Sequence, residues 1–205
     1  MSRGPIIFLG VLLTFTSAWL ALVLAPYVQL NALEPVTEEV TGDVYPQPIT
    51  GAPAIGHDLY RAYGCMYCHS QQVRPEGFGA DFERGWGPRR TVARDYIYDR
   101  PVFLGSMRTG PDLANIGARQ SVATWHHRHL YDPQITSPGS VMPPYHFLYE
   151  RRRITGTPSA EALDLPEVWA PPDGYEIVPT DEARALVAYL LSLNRTHPLE
   201  EAEPK

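Results

Sequence analysis

The sequence predicts a mainly α-helical protein in two parts, a single membrane-spanning helix followed by a small loop-rich domain. Three observations predict it. Residues 6–25 are almost unbroken apolar, IIFLGVLLTFTSAWLALVLA. Two amphipathic segments, one running into Cys65 and one starting at Thr180, frame the remainder. The chain carries 21 prolines in 205 residues, and proline ends helices and is excluded from inner strands, so much of what lies between is loop. That length fits one domain with an appendage, and the net charge of −6 offers no basic patch for nucleic acid.

The apolar run comes first. About 20 such residues cross a bilayer core as helix. Thr14, Thr16 and Ser17 are tolerated there because small hydroxyls bond back to the helix backbone. A cleaved signal peptide has a shorter apolar core and a small-x-small cleavage site; here the run is longer and Pro26-Tyr27 follows, with the tyrosine placed as an interfacial anchor. An uncleaved anchor is the expectation. Arg3 precedes the run and no Lys or Arg follows until Arg61, which puts the N-terminus in the cytoplasm and the rest outside.

Residues 29–54 are rich in Pro, Glu, Thr and Gly without a sustained period and read as a linker. From Gly56 the pattern turns helical, with Leu59, Tyr60 and Tyr63 on one face; the helix is expected to start near His57 or Asp58 and to run into Cys65. Gly64 is expected to let another element approach closely.

Cys65-Met66-Tyr67-Cys68-His69 then spells C-x-x-C-H, the attachment signature of c-type haem. Two thiols three positions apart can each add to a vinyl group of one porphyrin, and the next residue brings an imidazole under the iron. Cys65 and Cys68 are thus the thioether anchors and His69 the proximal ligand. A disulfide or half a zinc site are the competing readings, but these are the chain's only two cysteines and structural zinc needs four protein ligands. Attachment of c-type haem outside the bacterial inner membrane agrees with the orientation read from the charges.

For the far face of the haem, Met1 starts the chain and Met66 lies inside the motif, leaving Met107 and Met142, with a histidine as a third choice. Met142, between Val141 and Pro143-Pro144 in a helix-free stretch, is the preferred sixth ligand, because a thioether there raises the potential relative to two histidines. Residues 121–130, SVATWHHRHL, read as a short helix capped by Ser121 and stopped by Asp132-Pro133. His126, His127 and His129 on it lack a third metal ligand and suit haem-propionate hydrogen bonds, partner contacts or a solvated face. The last helix starts at its cap Thr180, with Asp181 and Glu182 in the first turn, carries the stripe Leu186, Val187, Tyr189, Leu190 and Leu193, and stops near Asn194.

A haem-bearing helix crossed by a C-terminal helix with an aromatic face resembles the class I cytochrome c fold. In that fold a G-P-x-L segment passes the proximal side, so the resemblance gives Gly110-Pro111-Asp112-Leu113 the same task, with the Pro111 carbonyl orienting His69. The stretches DLYRAYGCMYCHSQQVRP, IYDRPVFLGSMRTGPDLANIGAR, WHHRHLYDP, VMPPYHFL and ALVAYL go further. In this order behind an N-terminal anchor they resemble the mono-haem subunit of cbb(3)-type cytochrome c oxidases, over residues 59–149 and the final helix. Residues 78–94 and 151–179 depart from the pattern; the second opens on Arg151-Arg152-Arg153, a solvated face or a docking patch for acidic groups.

The resemblance implies one covalent haem c, an electron relay with no bond-making chemistry of its own, and Arg74 and Arg108 at haem propionates or subunit contacts. It implies as partners a haem–copper catalytic subunit, a di-haem cytochrome c subunit, a donor cytochrome c and the lipid bilayer. The expected layout is an anchor over 1–28, a linker over 29–54, a haem domain over 55–197 and a tail over 198–205. A membrane-anchored cytochrome serving another complex, of the nitric oxide reductase small-subunit type, is the alternative.

Overall fold

The computed structural model describes residues 3–38 and 42–202, so the ends of the expected anchor and tail and part of the linker lie outside the described residues. The chain divides into two compact units. One comprises the N-terminal stretch up to Gln47 with Val92–Tyr98; the other comprises Pro48–Thr91 and the chain from Asp99 onward.

In the first unit, α1 (Gly4–Trp19) and α2 (Ala25–Leu30) are joined by a π-helical turn, Leu20–Leu24, into one rod, Gly4–Leu30. Its 27 residues exceed the expected run and give about 40 Å of helix at 1.5 Å per residue. None of its side chains is buried in the protein, and it is long and apolar enough to cross a membrane. The wide turn precedes Pro26, whose ring displaces the carbonyl one turn back and which has no N–H to donate; the Ala25 amide instead reaches back to Leu20. Thr14 Oγ1 donates to the Gly10 carbonyl at 2.9 Å and Ser17 Oγ to that of Thr14 at 3.0 Å. A small hairpin follows, β1 (Val36–Thr37) with β2 (Val44–Tyr45). The Tyr45 hydroxyl donates to Asp95 at 2.6 Å.

The second unit is organised by a helix crossing. Helix α3 (Ala52–Ala62) starts ahead of the expected His57, because Pro53 sits in its first turn, where a missing N–H costs nothing. It packs across α6 (Asp181–Ser192). The contact point is Gly56, where a β-carbon would meet the Ala185 carbonyl at 2.0 Å and Tyr189 Cβ at 2.6 Å. The close approach expected at Gly64 therefore happens two turns earlier. Gly64 serves the backbone instead, with φ of 75° in the left-handed region, turning the chain from α3 into the cysteines.

Thr180 caps α6 as expected, its hydroxyl accepting from the Ala183 amide at 3.2 Å. The whole predicted stripe, Leu186, Val187, Tyr189, Leu190 and Leu193, is buried, and it joins Tyr60, Phe103, Leu113, Ile116, Leu130, Leu148 and Ile177 in one core. Between the two long helices lie α4 (Ile116–Arg119) and α5 (Ala123–Tyr131). Ser121 does not cap α5: Val122 holds that position with no side-chain cap. Asp132 ends the helix, and its carboxylate accepts from the Gln134 amide to start the next turn.

Residues 149–179, unassigned by periodicity, form an antiparallel hairpin of β3 (Tyr149–Arg153) and β4 (Tyr175–Pro179), with Tyr149 opposite Pro179. Ile177 and Val178 are buried while the arginines of β3 face out; Arg152 pairs with Glu176 at 2.7 Å and Arg151 lies over the Tyr175 ring. The tail is packed as far as it is described, with Leu199 and Ala202 buried and the His197 carbonyl accepting from Arg89 at 2.6 Å.

Candidate functional site

The turn after Gly64 is a 3-10 helix, Cys65–Tyr67, and the His69 amide donates back to the Cys65 carbonyl at 3.0 Å. This tight turn puts Cys65, Cys68 and His69 at one end of α3. The two thiols are unbridged. Cys68 is exposed, whereas Cys65 packs on the core, and that burial pushes its thiol up to about 11. The Tyr145 hydroxyl donates to the Cys65 sulfur; burial first, then the two thiols, push that phenol up to about 12. Tyr145 also belongs to an aromatic run with Phe147 and Tyr63 beside the motif.

His69 is held from below. Its Nδ1 lies 2.8 Å from the Pro111 carbonyl oxygen, 42 residues away in sequence. A carbonyl only accepts, so Nδ1 carries the proton and Nε2 presents its lone pair. Burial lowers the pKa of the ring, which keeps it neutral. Gly110 lies flat against the imidazole: a β-carbon there would fall 2.3 Å from Cε1, 2.7 Å from Nδ1 and 2.8 Å from Nε2. The two segments are laced by backbone bonds, Gly110 N to Cys68 O at 2.9 Å and Leu113 N to Ser70 O at 2.7 Å.

Of the two candidate methionines, Met142 is half-buried against the core in company with Cys65, Met66 and Tyr145, three residues before the tyrosine that reaches Cys65. Its amide donates to Ser140 Oγ in the same loop at 3.2 Å. Met107 is 58% exposed.

Arg74 and Arg108 converge on a residue the sequence did not single out, Asp81. Arg108 is only 15% exposed; its Nη1 donates to Asp81 at 2.5 Å, its Nη2 to the Gln72 carbonyl at 2.5 Å, and its Nε to Ser70 Oγ at 2.8 Å. Arg74 meets the same Asp81 carboxylate at 3.2 Å through Nη2 and at 2.8 Å through its amide. Burial works to raise the pKa of Asp81, and the Arg108 and Arg74 hydrogen bonds outweigh it, leaving the carboxyl below its ordinary value. Arg108 also lies over the Trp86 ring at 5.0 Å. These donors are spent inside the protein, which leaves Arg108 little to offer a propionate.

The three histidines of α5 do not gather into a metal site, and none is found among the described residues. His126 is buried and donates from Nε2 to the Gln120 carbonyl at 2.7 Å. His127 sits 3.2 Å from the Tyr149 hydroxyl. His129 contacts Thr136 Oγ1 at 2.6 Å and stacks on Trp125. Their work is to pack α5 against its surroundings.

Ser70, Asp112, Asp81 and Tyr145 are the site residues that sequence reasoning passed over. Asp112 and Tyr145 lie within motifs that were read, GPDL and MPPY, and could have been found by asking what holds each motif in place. Asp81 sits alone in the irregular insert and gave no signal.

The donor set fits a haem. Two unbridged thiols in one turn, an imidazole whose distal nitrogen is left open by the Pro111 bond, and a half-buried thioether offer soft and borderline ligands of the kind that hold haem iron, not the four-ligand cage of structural zinc. The sequence matches the family described as "Cytochrome C oxidase, mono-heme subunit/FixO" over residues 7–168. A comparison with curated proteins gives no match.

Proposed function

The chain belongs to the family of mono-haem subunits of cbb(3)-type cytochrome c oxidases, and from that premise we propose how its residues carry a covalent haem c and pass electrons through it. Membership makes this a membrane-anchored electron-transfer subunit with one haem, and the nitric oxide reductase alternative is not favoured.

Cys65 and Cys68 would hold the porphyrin by thioether bonds within a class I cytochrome c domain. His69 would ligate the iron through Nε2 and Met142 would ligate it through its sulfur. When bound, the haem supplies a one-electron Fe(III)/Fe(II) couple. The chain sets where that couple sits. Donation from His69 Nδ1 to Pro111 makes the imidazole a stronger donor and favours the ferric state; the Met142 thioether favours the ferrous state. The balance of the two fixes the potential. Tyr63, Met66 and Tyr145, partly buried against the core, would give the haem apolar surroundings. No side chain exchanges a proton or bond with a substrate.

The helix Gly4–Leu30 fixes the subunit in the bacterial inner membrane, N-terminus in the cytoplasm, with the haem domain in the periplasm. Electrons arrive from a donor cytochrome c, directly or through the di-haem subunit, and leave towards the haem–copper subunit that reduces oxygen. Residues 29–54 give the reach, the haem domain runs from there to residue 197, and 198–205 form the tail.

The observation that carries this reading is the 2.8 Å bond from His69 to Pro111 behind an intact C-x-x-C-H. Purification from native membranes in mild detergent tests it. The expected result is a band of about 23 kDa that keeps haem stain after denaturation and co-purifies with a copper-containing, oxygen-reducing subunit. A stain-free band, or a haem protein that purifies alone, overturns it.

A further inference from the structure

We infer that Ser70 and Asp112 form a positioning device for His69: their side-chain hydrogen bond fixes the orientation of the Pro111 carbonyl against the imidazole. The inference rests on the reading of His69 as a haem ligand.

Ser70 directly follows His69, and Asp112 directly follows Pro111. The bond they make therefore runs beside the His69–Pro111 bond, one residue along both strands. Ser70 Oγ donates to Asp112 Oδ2 at 2.6 Å, the length of a charge-assisted O–H···O⁻ bond. Both residues are buried, at 3% and 0% exposure.

The carbonyl of Pro111 has no side chain to steady it. It belongs to the peptide plane shared by Pro111 and Asp112, so whatever fixes Asp112 fixes the direction of that oxygen. Asp112 is fixed from several directions. Besides Ser70, its Oδ2 accepts from the Gln72 amide at 2.7 Å, its Oδ1 accepts from the Ala114 amide at 2.9 Å, and Arg108 Nη2 stands 3.7 Å from Oδ2. Ser70 is fixed too: Arg108 Nε donates to its oxygen at 2.8 Å, and Gly105 presses so close that a β-carbon there would lie 2.7 Å from Ser70 Cα. A buried carboxylate with this many donors is strongly oriented, because losing any one donor leaves a desolvated oxygen unpaired.

The hydrogen bond to a ligating histidine sets ring orientation and donor strength. Here two backbone bonds hold the segments together, and the Ser70–Asp112 pair sets the angle at which Pro111 meets the ring. Without that pair the segments remain laced and Asp112 keeps its bonds from the Gln72 and Ala114 amides, but Oδ2 loses its one link to the residue after His69 and the carbonyl is held less tightly. The imidazole then becomes a weaker donor, the ferric state loses stabilisation and the potential rises.

Ser70→Ala in the full-length, haem-loaded chain tests this without changing any charge. The expected result is a shifted and broadened set of ferric electron paramagnetic resonance g-values and a higher midpoint potential, both restored by Ser70→Thr. Asp112→Asn, read by its g-values, is the second variant should Ser70→Ala load haem poorly, and the same g-value shift is expected. Asp99→Asn, at the buried pair Asp99–Arg195 made at 2.6 Å elsewhere in the unit, should leave the g-values alone. Wild-type g-values and potential in Ser70→Ala, or an equal shift in Asp99→Asn, overturn the inference. A wild-type chain without a haemochrome spectrum overturns the ligand reading itself.

Discussion

The His69 ring and Gly110 lie closer than any residue with a β-carbon allows: Cβ at position 110 would sit 2.3 Å from Cε1 of the imidazole. The only relief is for the ring or the segment to move. Moving either lengthens the 2.8 Å bond to Pro111 in the next residue. Gly110→Ala is therefore expected to reduce haem loading, or to loosen the ligand, by about tenfold or more. Pyridine haemochrome content per unit protein, with the reduced spectrum, measures it. Wild-type loading and spectrum in Gly110→Ala would show that the packing at the ring is unimportant.

A second glycine holds the fold rather than the ligand. At Gly56 the crossing of α3 over α6 would leave only 2.0 Å between a β-carbon and the Ala185 carbonyl oxygen. Backbone cannot step aside as a side-chain tip can, so Gly56→Ala forces the helices apart at a cost of about 1–3 kcal/mol or more. Gly64→Ala meets a different obstacle, the left-handed φ of 75°, with a cost of about 1–2 kcal/mol. Thermal unfolding of the two variants should rank Gly56→Ala as the less stable. The reverse order would mean that the helix crossing yields more easily than a single backbone turn.

The difference between these two glycines shows what the sequence conveyed. Periodicity marked the buried stripe on α6 and the face of α3, because a helix repeats its environment every turn. The haem motif was legible because its chemistry dictates residue type and spacing together. Gly56 was not, since a glycine inside a helical pattern looks the same whether it faces solvent or a partner backbone. The hairpin of β3 and β4 was hidden for a similar reason: its outer residues are Glu150 and three arginines, and its buried residues Ile177 and Val178 sit at the far end of a long proline-rich connection. Asp81 was invisible because its partners Arg74 and Arg108 come from 7 and 27 residues away with no pattern linking them.

The sixth ligand is tested by a pair of variants. Met142 is half-buried against the core, whereas Met107 is 58% exposed. Met142→Ala is expected to move the reduced spectrum towards high spin and to lower the potential, while Met107→Ala leaves both unchanged. An unaltered spectrum in Met142→Ala would pass the role to another residue.

Acid sensitivity should trace to α5. Burial, then the neighbouring His126 and Arg184, lower the His127 pKa from the ordinary 6.5 to about 4. The folded protein thus resists protonating His127, while the unfolded chain takes the proton near pH 6.5. Between these values the unfolded state binds more protons, so stability is complete above pH 6.5 and declines as the pH falls towards 4. His127→Gln carries no titrating group and keeps a side chain able to face the Tyr149 hydroxyl, which wild-type His127 meets at 3.2 Å. Its melting temperature should fall less than that of wild type between pH 7 and pH 5, even if it starts lower. Parallel declines in the two proteins would place the acid-sensitive group elsewhere, with His129 next, since burial first, then His69 and His126, lower its pKa to about 4 as well.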